Sequence, residues 1–124
     1  MGVVVGLLAL LLGVLVPALV IAAAKDSDSA PGGVQLTAAE EHGREVFADR
    51  CATCHTLKAA NAVGKVGPNL DQLVGGLDPK GQKAFVLSAI REGRARGQGQ
   101  MPKDLVDGQD AQDVAAFVSA TAGH

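Results

Sequence analysis

The stretch Cys51-Ala52-Thr53-Cys54-His55 sets two thiols three positions apart and places an imidazole directly after them. These are the only two cysteines in 124 residues, so any thiol chemistry of the chain is done here. Four uses suit such a group: a disulfide, a redox dithiol, part of a zinc site, or attachment of something larger through sulfur. A disulfide across two intervening residues closes a tiny loop and removes little unfolded-state entropy. Zinc takes four ligands, and beyond Cys51, Cys54 and His55 the chain offers only His42, His124 or a carboxylate at no recognisable spacing. A thioredoxin-like dithiol belongs after a strand in a βαβ setting, and no segment of the domain alternates apolar and polar residues as a strand does.

What remains is C-x-x-C-H as a covalent haem attachment, in which two thioethers hold the porphyrin and the following histidine faces its iron. A six-coordinate electron-transfer haem needs a second axial ligand, and a soft thioether favours Fe(II). Besides Met1 there is one methionine, Met101, in the phrase Gly97-Gln98-Gly99-Gln100-Met101-Pro102. A lone methionine ordinarily fills a core gap, but this one sits in a Gly- and Gln-rich loop rather than on an apolar helical face. His42 and His124 are expected to face solvent, His124 at a fraying end.

Those residues need helices to position them, and three can be placed. Thr37 with Glu40 forms a T-x-x-E capping box that opens a helix running through Phe47 to about Asp49. Asp78 followed by Pro79 is an N-cap and first-turn pair, and Val86, Ala89 and Ile90 keep a 3.6-residue period until Gly93 ends it. A last helix begins near Asp107, with Asp110 at its positive end, and carries Val114, Phe117, Val118 and Thr121 on one face. The class is therefore all-α. From Thr37 to His124 there are about 88 residues, enough for one small domain. With no Trp or Tyr and three Phe, its own side chains make a thin core, so a large apolar prosthetic group would solve a structural problem as well as a chemical one.

Residues 1–24 contain no charged side chain. Gly2 to Ala24 as a helix would reach roughly 34 Å, enough for the ~30 Å hydrocarbon core, and a single transmembrane anchor is the leading reading. The rival is a secretory signal with Ala22-Ala23-Ala24 as its cleavage site, although no Lys or Arg precedes the apolar run. Residues 25–36 are rich in Ser, Gly and Asp and read as a flexible tether of about 20 Å root-mean-square reach. Lys25 against Asp26 and Asp28 says little about orientation.

Around the cysteines the chain resembles the class I c-type cytochromes, in particular the small bacterial mono-haem members. Gly43 and Phe47 stand eight and four residues before Cys51, as the family's first-helix glycine and aromatic do, and Val114 and Phe117 match the pair on its last helix. Gly67-Pro68-Asn69-Leu70 looks like the family's G-P-N-L segment, and Met101-Pro102 like its M-P. The resemblance implies a small cytochrome c fold of three to four helices around one haem c. In it Cys51 and Cys54 carry the thioethers, His55 and Met101 ligate iron, and the Pro68 carbonyl accepts from the His55 ring. Leu70, with Leu73 and Ile90, would line the porphyrin. It departs where members place Trp or Tyr on a propionate, leaving Arg91, Arg94 and Arg96 as candidates.

Residues 50–103 carry nine Lys and Arg against three Asp and Glu, a balance of +6 on a chain whose net charge is −2. A positive rim there would steer encounter with an acidic docking site and make association fall with salt. Nucleic-acid binding is not supported: there is no aromatic interleaving and no recognised fold for it. The resemblance implies a carrier of single electrons, not an enzyme and with no small-molecule substrate. Its haem domain would lie on the periplasmic or extracellular side of a bacterial cell membrane, since haem c attachment occurs outside the cytoplasm in this family. A quinol-oxidising complex as donor and a haem-copper terminal oxidase as acceptor are the partners it suggests. The alternatives are a haem-based sensor or ligand-binding protein with a displaceable Met101, and a haem-free thiol oxidoreductase.

Overall fold

In the structure, a computed structural model, residues 1–24, 29–96 and 99–124 are described, with the side chains of 16–24 and of Arg96 outside the described set. The elements in chain order are α1 (Gly2–Ala24), β1 (Ser29–Ala30), β2 (Val34–Gln35), α2 (Ala38–Arg50), β3 (Thr56–Leu57), a 3-10 turn (Lys58–Ala60), β4 (Ala62–Val63), α3 (Leu70–Leu73), α4 (Pro79–Glu92), β5 (Arg94–Arg96), β6 (Gly99–Met101) and α5 (Gly108–Thr121). The helices begin where local chemistry dictates. The Thr37 backbone N–H donates to Glu40 Oε2 at 2.7 Å while Thr37 Oγ1 accepts from the Glu40 N–H at 3.3 Å, the reciprocal box that satisfies free donors at the start of α2. Asp78 Oδ2 accepts from the Gly81 N–H at 3.0 Å at the head of α4, where Pro79 gives up no needed donor. Gly93 ends α4 at φ 69°, a conformation that favours glycine.

The core lies where α5 packs across α2 and α4. Phe47 and Phe117, both essentially fully buried, meet edge to face with ring centroids 6.0 Å apart. Leu57, Val74, Val86, Ile90, Val114 and Val118 fill the space around them. Gly43 makes the helix contact possible: a Cβ there would overlap the Asp113 carbonyl and stand 2.9 Å from the Val114 nitrogen.

Three expectations are corrected. Among the described residues no helix is long and apolar enough to cross a membrane, so the expected N-terminal transmembrane helix is not supported. The helical backbone of α1 continues to Ala24, and the side chains of residues 16–24 lie outside the described set. The Ala22–Ala24 cleavage site likewise falls on side chains outside the described set. The expected tether is corrected over 29–36, and its first residues, Lys25 to Asp28, lie outside the described residues. From Ser29 the chain folds as the β1–β2 hairpin, turning at Gly32 (φ 106°) and Gly33 (φ 78°), and it buries Ala30 and Leu36 in the domain core. Finally, the all-α reading misses three antiparallel pairs of two or three residues each.

His42 faces solvent as expected, and it is also tied to α5. Its Nδ1–H donates to Asp113 Oδ2 at 2.9 Å, and Gln109 Nε2 donates to the other carboxylate oxygen at 2.7 Å, so buried Asp113 has both oxygens satisfied. The Asp113 hydrogen bond raises the His42 pKa above its ordinary 6.5. Bonds from Gln109 and then His42 lower that of Asp113 below its ordinary 3.8. The stability from His42 is fully present below pH 6.5 and is lost as pH climbs through its raised folded value. That from Asp113 is present above pH 3.8 and is lost as pH falls through its lowered value. Thermal unfolding of wild type and His42→Gln across pH is therefore expected to differ most between about pH 4 and 6.5 and to converge above neutrality. A difference that does not vary with pH would sink the ion-pair account.

Candidate haem-binding site

The C-terminus of α2 delivers Cys51, whose N–H still donates to Phe47 O at 2.8 Å. Two further bonds onto Cys51 O, from Cys54 N at 3.1 Å and His55 N at 3.0 Å, wind Cys51 to His55 into one tight turn. Both cysteines are free thiols. Burial, followed by the neighbouring Cys54, pushes the Cys51 thiol up to about 11.

Two glycines let the following loop fold back over this turn. Gly67 N donates to Cys54 O at 2.7 Å and Gly64 N to His55 O at 3.2 Å. A Cβ on Gly64 would stand 2.6 Å from Ala52 O and 2.7 Å from His55 N, and one on Gly67 would stand 2.5 Å from Cε1 of the His55 ring. The His55 Nδ1–H donates to Pro68 O at 2.9 Å. That bond selects the tautomer in which Nε2 keeps its lone pair. Asn69 then caps α3, its Oδ1 accepting from Asp71 N at 2.9 Å, and Leu70 opens that helix half-buried against the core.

Met101 lies on β6, half-buried and packed against the core cluster. Its strand meets the proximal loop two residues earlier, where a Cβ on Gly99 would stand 2.9 Å from Val66 O. The structure thus brings Cys51, Cys54, His55 and Pro68 together directly, and brings the Met101 strand beside them through Val66. Of the residues expected to line a porphyrin, Ile90 is buried, while Leu73 is 42 % exposed. Val63, Val66, Leu77 and Phe85 are exposed as well. Two free thiols and an imidazole oriented by a carbonyl, with its Nε2 lone pair available, fit a covalently held haem. Among the described residues no group of three or more His, Cys, Asp or Glu could hold a metal ion.

Among the arginines expected near a propionate, Arg91 is exposed and Arg94 is engaged with the end of α4. The Arg96 side chain lies outside the described residues. Sequence reasoning missed Gly64, whose signal was its place three residues before Gly67. It also missed Asp71, which accepts from Lys58 N at 2.9 Å and from Gly123 N at 3.1 Å, joining the site loop to the end of α5.

Helices packed around a C-x-x-C-H turn, with a carbonyl-oriented histidine, define the class of small mono-haem electron-transfer proteins. The model of the family described as Cytochrome c matches residues 40–122, and the chain belongs to that family, whose members hold one covalently attached haem c and act as electron carriers. It is similar to the protein named cytochrome c6 of Synechocystis sp., 30 % identical over 89 residues that cover 70 % of this chain and 69 % of that one. It is similar too to cytochrome c-551 of Bacillus subtilis, 32 % identical over 87 residues covering 70 % of this chain and 68 % of the other. Among solved structures it resembles the c-type cytochrome SorU from Sinorhizobium meliloti, at a TM-score of 0.53 and 38 % identity, covering 68 % of this chain and 92 % of that one.

Proposed function

We propose that this cytochrome c shuttles single electrons in a respiratory chain, outside the cytoplasm, between a quinol-oxidising complex and a haem-copper terminal oxidase. Cys51 and Cys54 hold the haem, His55 is the proximal ligand, Met101 the distal one, and Leu70 packs on the porphyrin. The observation that carries this reading is the 2.9 Å bond from His55 Nδ1–H to Pro68 O beside two free thiols. When bound, the haem supplies a one-electron Fe(III)/Fe(II) couple. The chain's part would be to keep His55 and Met101 on the iron in both oxidation states, so that no substrate would need to reach the metal. The Pro68 carbonyl makes the imidazole more electron-rich, while the thioether of Met101 draws the balance towards Fe(II).

The respiratory partners are supported by charge. The balance of +6 over residues 50–103 suits an acidic docking site, while Asp49, Asp104, Asp107 and Asp110 line a surface hollow together with Arg50. Placement outside the cytoplasm follows from where haem c is attached to members of the family. Met101→Ala in the purified ferric protein tests the ligand set. Loss of the near-infrared sulfur-to-iron band, with a drop in potential, is the expected result. An unchanged spectrum would refute Met101 as ligand, and rapid binding of carbon monoxide by the ferrous wild type would favour the sensor reading.

A further inference from the structure

The strand that carries Met101 is fastened to α4, and the fastening is a side chain that the electron-transfer reading has not used. In the β5–β6 pair Arg94 stands opposite Met101. The Arg94 guanidinium does not reach outward. Its Nη1 donates to Gly93 O at 2.7 Å, to Glu92 Oε2 at 3.2 Å and to Ser88 O at 3.4 Å, and its Nη2 donates to Ser88 Oγ at 2.8 Å. Ser88 and Glu92 lie towards the C-terminal end of α4 and Gly93 is its cap, where the macrodipole favours a cation. Backbone contacts reinforce the same junction: Asp104 N donates to Ile90 O at 2.8 Å, and a Cβ on Gly93 would stand 2.7 Å from Met101 O. Among the described residues, the hydrogen bonds of Arg94 are the only side-chain ones that join this hairpin to α4.

We propose that Arg94 is a positioning residue for the distal ligand: its guanidinium pins β5 to the end of α4, and β5, paired with β6, sets the place from which Met101 presents its sulfur. A planar fork of fixed donors suits several acceptors at once, and an ammonium does not. The inference rests on Met101 being the distal ligand.

The test is a titration of the ferric holoprotein with imidazole, which competes with the Met101 thioether for the iron, in wild type, R94A and R94K. A ligand that binds only after Met101 lets go has an apparent affinity scaled by the released fraction. Removing hydrogen bonds from a charged group raises that fraction, so R94A is expected to bind imidazole about tenfold more tightly or better. Its near-infrared sulfur-to-iron band weakens, and R94K falls between. Wild-type affinity and band in R94A overturn the proposal, even if its unfolding midpoint drops, since that pattern marks a merely structural role. If R94A yields no holoprotein, R94K decides: a several-fold rise in affinity supports the clamp and wild-type affinity overturns it. M101A separates the two readings. Should M101A keep the wild-type band and imidazole affinity, Met101 is not the ligand and the clamp falls with it. Should M101A lose the band while R94A and R94K behave as wild type, the ligand reading stands and the clamp alone fails.

Discussion

Gly43→Ala is expected to remove a large part of the domain's stability, against what helix propensity alone would say. In an exposed helix interior alanine gains about 1 kcal/mol over glycine. At this position the new Cβ would overlap the Asp113 carbonyl and crowd the Val114 nitrogen, and both neighbours are backbone that cannot rotate away. Helices α2 and α5 must separate. Overpacking of this kind costs about 1–3 kcal/mol or more, and opening the Phe47–Phe117 edge-to-face pair forfeits a further ~0.5–1.5 kcal/mol. The net loss of about 2–3 kcal/mol is a large share of the ~5–15 kcal/mol that holds a typical domain together. Denaturant unfolding of the holoprotein measures it, with Gly76→Ala as control, since a Cβ there meets nothing within 4 Å. Equal midpoints for the two variants would mean that α2 and α5 do not need this close approach.

The second large effect is expected at Gly67, and it is electronic rather than structural. An added Cβ would stand 2.5 Å from Cε1, 2.8 Å from Nδ1 and 3.0 Å from Nε2 of His55. A ring, unlike a backbone, can swing aside, so Gly67→Ala folds. The swing breaks the bond from Nδ1–H to Pro68 O, and loss of such an outer-shell partner typically weakens a metal ligand about tenfold to a hundredfold. A less electron-rich imidazole stabilises Fe(III) less, so the reduction potential rises. Spectroelectrochemical titration reads the shift, and the ferric optical spectrum reads any gain in high-spin iron. A variant with wild-type potential and spectrum would show that the Pro68 bond does not tune His55.

The helices were legible because their ends are written in local chemistry: Thr37 with Glu40, Asp78 with Pro79, and Gly93 as a stop. The C-x-x-C-H turn was legible for the same reason, its spacing being short. The hairpins were not, because strands of two or three residues carry no periodicity to detect. At Ser29–Gln35 the Pro31-Gly32-Gly33 turn signal was present but was read as linker composition, and only Ala30 and Leu36 in the core reveal that the segment is docked. His42 faces solvent as expected, but its bond to Asp113 was not legible, because that partner is 71 positions away. The work of Gly64 and Arg94 was hidden likewise, since a glycine's steric necessity and an arginine's chosen acceptors depend on a neighbour that only the folded chain supplies.

The contact between Val66 and Gly99 has a mechanical meaning. It sets the segment bearing Met101 against the one that leads into Pro68, so the two sides of the proposed iron site lean on each other instead of hanging from separate helices. A push on one is felt by the other as a load on a shared joint. Such a frame resists the small changes in bond length that accompany gain or loss of an electron. An electron can then arrive and leave without the chain having to be reset between journeys.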